Sequence, residues 1–334
     1  MKHIIEKWDE GVYESGFWKF YFGDMKVGVL DIETTGLYPA RNKFVLGCLY
    51  DVTKGELHQV LAQSRAEEPE ALSEYLKLIA DVDLVVTYNG RHFDMPFIEQ
   101  RRRITGIAEG PAKVYDLDLY PVLRHHSPIR SLVPNMKQKT IETYMGFWDT
   151  RADEISGAES VDLYNEYEAT GNPEAEKKIL LHNNDDVRQL TKITKAIMKS
   201  DFHKAMYTIG FPVKVDGTLA LIEGIELKKE LIKVDGRFMA EATDYMGFEY
   251  NGWPVQTEIR EGKFRFEIPV IRRDGYAVID IQSSGIKTDE FSEYPGYGNG
   301  FIIIADSTEI KYRQTNHFLR EFVRKFIREQ DLFV

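Results

Sequence analysis

The stretch Val27–Leu37, VGVLDIETTGL, decides how the chain is read. A run of apolar and small residues ends in Asp31 and Glu33, then breaks at Thr34, Thr35 and Gly36. Side chains on a strand alternate faces. Asp31 and Glu33 therefore share one face, and Ile32 takes the other. Two adjacent anions repel, and burial raises the cost. A solvated strand end would escape that cost. A buried end needs something positive: a Lys or Arg could supply it, but Mg²⁺ or Mn²⁺ does so better because both prefer carboxylate oxygen.

The flanking sequence frames this strand. MKVGVLDIE (25–33), KFVLGCLYDV (43–52) and ELHQVLA (56–62) read as three strands, the last two joined by a TKG turn. EEPEALSEYLKLIA (67–80) reads as a helix with Pro near its first turn. DLVVTYNG (83–90) is a short buried strand ending at a Gly, and DMPFIEQRRRI (94–104) begins a helix. A fifth strand falls within 112–120, and 121–198 read as mainly helical. The expectation is an α/β domain with a mixed five-stranded sheet flanked by helices. After residue 205 the texture turns to β runs with N-G and D-G turns, such as EGKFRFEIPVI and RDGYAVIDI. The last segment carries Phe318, Leu319, Phe322, Val323, Phe326 and Ile327 at helical spacing. The expected organisation is an N-terminal extension (1–24), the α/β domain (25–200) and a β-rich C-terminal domain with a terminal helix (205–334).

Composition narrows the function classes. The 334 residues are 43% hydrophobic and 29% charged, a globular balance. No apolar run reaches the length of a membrane span, and MKHIIEKWDEG has no signal-like apolar core. A single cysteine, Cys48, rules out an internal disulfide and a Cys-based zinc site. These features point to the cytoplasm and to no membrane partner. A net charge of −11 argues against a non-specific nucleic-acid coat but not against an enzyme meeting nucleic acid through metal ions and a local basic patch.

Further polar residues stand out by position. Asp94 lies where an N-cap is expected, after the Asn89–Gly90 turn. In EAEKKILLHNNDDVRQL, Ile179 and Leu190 belong to an apolar stripe that also contains His182, Asn183 and Asp186. His182 and Asp186 are four apart and meet on one helix face, whereas Asp185 lies about 100° away. Either they satisfy each other in the core, or they face the site of Asp31 and Glu33. Arg101–Arg103, Arg124, Arg130, Lys137 and Lys139 either track a phosphate backbone or form solvated, Glu-partnered faces. GYGNG (296–300) reads as a loop, as do His125 and His126.

Together, DIETTGL, YNGRHFDMPF and HNNDDV resemble, in this order, the three motifs of the DEDD 3′–5′ exonucleases, which have a ribonuclease H-like fold. The YprB-like ribonuclease-H-like branch is a closer resemblance, through the connector QKTIETYMGFWDTRADEISGAESVDLYNEYEATGN and the form of HNNDDV. The resemblance spans about residues 25–198. It implies hydrolysis of single-stranded DNA or RNA with two divalent cations, Mg²⁺ or Mn²⁺. Asp31, Glu33, Asp94 and Asp186 would be the metal ligands and His182 the group that orients or deprotonates the attacking water. Thr34, Thr35, Leu37, Asn89 and Phe93 would hold the strand end. The family carries Tyr four residues, or His five residues, before the last Asp; here a His stands at the Tyr spacing. An imidazole, with an ordinary pKa of about 6.5, suits base work at neutral pH better than Tyr at about 10. An endonuclease using the same chemistry, or a binding module without catalysis, are the alternatives. The sequence identifies no protein partner.

Overall fold

The computed structural model describes residues 1–108, 113–152, 155–330 and 332–333. The chain divides into two compact units, Met1–Ser200 and Asp201–Val334.

The first unit contains β1 (Lys2–Lys7), α1 (Gly16–Phe22), β2 (Val27–Thr34), β3 (Phe44–Asp51), β4 (Glu56–Leu61), α2 (Glu68–Ala80), β5 (Leu84–Thr87), α3 (Asp94–Thr105), β6 (Tyr115–Asp118), α4 (Leu119–His126), α5 (Ile129–Leu132), α6 (Gln138–Met145), α7 (Gly157–Thr170) and α8 (Pro173–Ile193). Its sheet has the order β1-β4-β3-β2-β5-β6. The first four strands in this order pair antiparallel, and β2-β5-β6 are parallel. The sheet thus has six strands, not five. The extra one, β1, comes from the segment read as an extension, whose Trp8 also packs on Tyr50 with ring centroids 4.6 Å apart. Ile4 and Ile5 are largely exposed, so KHIIEK lacks the alternation that marks a half-buried strand.

Helices cover both faces of this sheet. Leu30 and Ile32 of β2 pack with Leu72, Tyr75, Ile79 of α2 and Phe97, Ile98 of α3. Val45, Leu46 and Leu61 pack with Tyr164, Tyr167 of α7 and Ala175, Ile179 of α8. The period-two alternation of β2 then sends Asp31 and Glu33 to the α8 side. Gly47 lies opposite Ile32 on β3, and a Cβ there would come within 2.6 Å of the Tyr75 ring. The bare glycine lets the Tyr75 hydroxyl reach the Cys48 carbonyl at 2.9 Å and brace the strand pair beneath Asp31.

The second unit holds α9 (Phe202–Ile209), an antiparallel sheet of β7 (Phe211–Val215), β8 (Thr218–Leu227), β9 (Leu231–Phe238), β10 (Tyr245–Gly247), β11 (Gln256–Arg260) and β12 (Lys263–Pro269), and a three-stranded sheet of β13 (Ile271–Arg273), β14 (Tyr276–Asp280) and β15 (Phe301–Ala305). A short α10 (Ile281–Ser284) precedes β15. The terminal helix α11 (Tyr312–Glu329) buries Phe318, Leu319, Phe322, Val323, Phe326 and Ile327, as its spacing predicts. Phe322 and Phe326 meet the rings of Tyr250 and Phe266 edge-on or tilted.

Candidate active site

The C-terminal end of β2 delivers the first two carboxylates. A register shift between Glu33 and Thr34 ends the regular β2–β3 ladder there. Asp31 accepts a 2.9 Å hydrogen bond from Asn183 Nδ2 of α8, and Glu33 Oε2 accepts one of 2.9 Å from Ser160 Oγ of α7. The turn after β5 delivers the third. Asn89 adopts a left-handed φ of 68°, and its N–H donates to Asp118 Oδ1 at 2.7 Å. A Cβ on Gly90 would lie 2.4 Å from Thr87, so the chain turns tightly into α3. Phe93, not Asp94, occupies the N-cap; Asp94 is the first helical residue and is buried.

Helix α8 supplies the rest. Asn172 caps it, Pro173 opens it, and Glu174 and Glu176 suit its N-terminal dipole. His182 and Asn183 are buried on its sheet-facing side. His182 Nε2 lies 3.6 Å from Glu33 Oε1 and 3.7 Å from Asp186 Oδ2. Asp185 turns elsewhere and accepts the Ala152 N–H at 2.7 Å.

The electrostatics are those of crowded anions. Burial, then Asp186, Asp94 and Glu33, hold the Asp31 carboxyl well above its usual range. Burial pushes Glu33 up to about 7 against the pull of His182. Asp94 also rises to about 7 through burial, although its own backbone and that of Ile32 favour the charged form. One cation does approach: Arg151, nearly inaccessible, places Nη2 2.5 Å from Asp186 Oδ1 and 2.8 Å from Glu142 Oε1. Even so, Asp31, Glu33 and Asp94 hold a proton more tightly than free carboxylates do, a cost that a bound cation would relieve. A set of oxygen donors with one imidazole fits a divalent cation.

The site opens into a cleft of about 440 Å³ lined by Asp31, Glu33, His182 and Asp186, with Thr34, Leu37 and Phe93 on its wall. Lys137, Gln138 and Lys139 from the start of α6 also line it. Thr35 and Asn89 do not: the Thr35 hydroxyl accepts the Lys43 N–H at 2.9 Å, and Asn89 shapes its turn. The arginine run is structural. Arg101 is buried and donates twice to Glu68 at 2.6 Å, while Arg102 and Arg103 pair with Glu99. Sequence reading missed Arg151 and Ser160. Both lie in the quoted connector, but their partners are 35 and 127 residues away. A second cluster, Glu290, His317 and Glu321, occurs in the other unit, where Arg320 and Arg324 already neutralise Glu321.

A model of the RNase_H superfamily matches residues 29–198, just over half of the chain, and the protein belongs to that superfamily. Its first unit is therefore a ribonuclease H-like, nuclease-type domain. Among solved structures, the family B DNA polymerase from the hyperthermophilic archaeon Pyrobaculum calidifontis is similar, at 17% identity and a TM-score of 0.42. The match covers 58% of this chain and 28% of the polymerase chain. No curated protein matches.

Proposed function

We propose that the protein is a metal-dependent 3′–5′ exonuclease acting on single-stranded nucleic acid. The observation that carries this reading is that Asp31, Glu33 and Asp186, from β2 and α8, line one cleft, with buried Asp94 of α3 near enough to raise the proton affinity of Asp31 and Glu33. No protein needs four such carboxylates together for stability, because each raises the others' cost. Asp31, Glu33, Asp94 and Asp186 would hold two divalent cations, Mg²⁺ or Mn²⁺. When bound, the ions supply charge relief on the phosphate and activation of the attacking water.

The chain's own residues do the rest. Asn183 and Ser160 hold Asp31 and Glu33 in fixed orientation. Lys137, exposed at the start of α6 and lining the cleft, would meet a backbone phosphate. Phe93 offers an aromatic face for a terminal base, and Leu37, 71% exposed beside the cleft, offers an apolar wedge. The order of the three motifs supports the 3′–5′ direction. The test is a 5′-labelled single strand, DNA and RNA in parallel, with Mn²⁺: a ladder shortening from the 3′ end supports the reading. Internal cuts would favour an endonuclease. Binding without cleavage would favour a non-catalytic module.

A further inference from the structure

We infer that His182 is a metal ligand of this site rather than the base that acts on water, and that it biases the site towards Mn²⁺ over Mg²⁺. The inference rests on the metal-dependent reading above. Three residues carry it: Glu33, His182 and Asp186 each offer one donor atom within 4.8 Å of the others, with His182 Nε2 at 3.6 Å from Glu33 Oε1 and 3.7 Å from Asp186 Oδ2. The imidazole separations, 3.6 and 3.7 Å, exceed the roughly 2.7–3.2 Å of an N–H···O hydrogen bond. They suit two donors of one ion, since donors at about 2.1 Å from a metal stand no more than about 4.2 Å apart.

The orientation of the carboxylates supports the same centre. Each is tied at its other oxygen: Glu33 Oε2 by Ser160 Oγ at 2.9 Å, and Asp186 Oδ1 by Arg151 Nη2 at 2.5 Å. Each is thereby turned so that its remaining oxygen faces Nε2. His182 itself is 3% exposed and sits four residues before Asp186 on the same helix face. A base acting on water needs its nitrogen directed at a water site. Here that nitrogen lies within 3.7 Å of an oxygen of each of two anions, at the spacing of donors that share a cation. Mg²⁺ demands oxygen donors and octahedral geometry, whereas Mn²⁺ accepts imidazole more readily.

The test uses the full chain without nucleic acid, loaded with Mn²⁺ and read by pulsed electron paramagnetic resonance. The expected result is a directly bound ¹⁴N coupling that changes on ¹⁵N-histidine labelling of the wild type and vanishes in His182→Gln. Among the described residues no other histidine lines the cleft, so the signal is assignable. In His182→Ala, Mn²⁺ affinity should fall at least ~10-fold, since even outer-shell losses cost 10–100-fold. Mg²⁺ affinity should fall less than Mn²⁺ affinity. Thermal melts check that both variants fold, and the wild-type labelling experiment stands without them. Mn²⁺ binding that Asp31→Asn abolishes, with no nitrogen coupling in the wild type, would overturn the ligand role and leave the metal-dependent reading intact. Absence of Asp31-dependent Mn²⁺ binding would overturn both.

Discussion

Asp31 sits where an uncompensated carboxylate is costly, with Glu33, Asp94 and Asp186 all raising its affinity for a proton. Two expectations belong to single residues. Asp31→Asn should abolish hydrolysis, by at least ~10²-fold, because under the proposed function it removes a metal-holding carboxylate. It should also leave the metal-free protein as stable as the wild type or more so, since a buried repulsion is lost. Melting curves with and without Mn²⁺ check this: the variant's ion-induced stabilisation should shrink. The pH response follows from Glu33 and Asp94, both raised to about 7. Folded, they hold a proton more tightly than when unfolded, where they release it near pH 4. The metal-free fold therefore loses stability as pH rises from about 4 to about 7, then levels off. An ion that favours the charged form reverses the trend, so stabilisation by Mn²⁺ should grow between pH 5 and 8. Urea melts across that range measure both slopes, and a stabilisation independent of pH would contradict the assignment.

At the scale of elements, α6, the connector and α8 form one electrostatic unit through Glu142, Arg151 and Asp186. Glu142 is fully buried, and Arg151 is its cation. Arg151→Ala strands that charge and should cost about 3–5 kcal/mol of stability. Adding Glu142→Gln should recover part of the loss in a denaturant melt; no recovery would mean that Arg151 acts by packing alone. The basic residues divide in the same way. Arg103 pairs with Glu99 outside the cleft, while Lys137 lines it, so Arg103→Ala should leave KM unchanged and Lys137→Ala should raise it several-fold. What was legible in the sequence was local: the two-residue period that put Asp31 and Glu33 on one face, and the four-residue step from His182 to Asp186. Arg101 was not legible, because Glu68, the partner that buries it, stands 33 residues away. Nor was β1, whose exposed isoleucines carry no strand period and whose place is set by pairing with β4.

At the scale of the whole molecule, the net charge of −11 limits how the protein meets a polyanion. Among the described residues, Lys137 and Lys139 are the cations that line the cleft, so side chains there would neutralise about two phosphates. Substrate binding should then weaken with salt at a logarithmic slope of about −1.4, at ~0.7 per phosphate on a single strand. Titration from 50 to 300 mM salt reads the slope, and one several-fold steeper would reveal a basic track elsewhere on the chain. The broad α/β architecture and the β-rich second unit were readable from strand and helix periods. The six-strand count and the tie between Glu33 and Ser160 depend on contacts far apart in sequence.

The most direct test of the central claim incubates the pure protein and Asp31→Asn side by side with Mn²⁺ and 5′-labelled single strands of DNA and RNA. A ladder that shortens from the 3′ end in the wild type alone is the predicted result. Intact strands with a wild type that is folded and carries Mn²⁺ at Asp31 would contradict it.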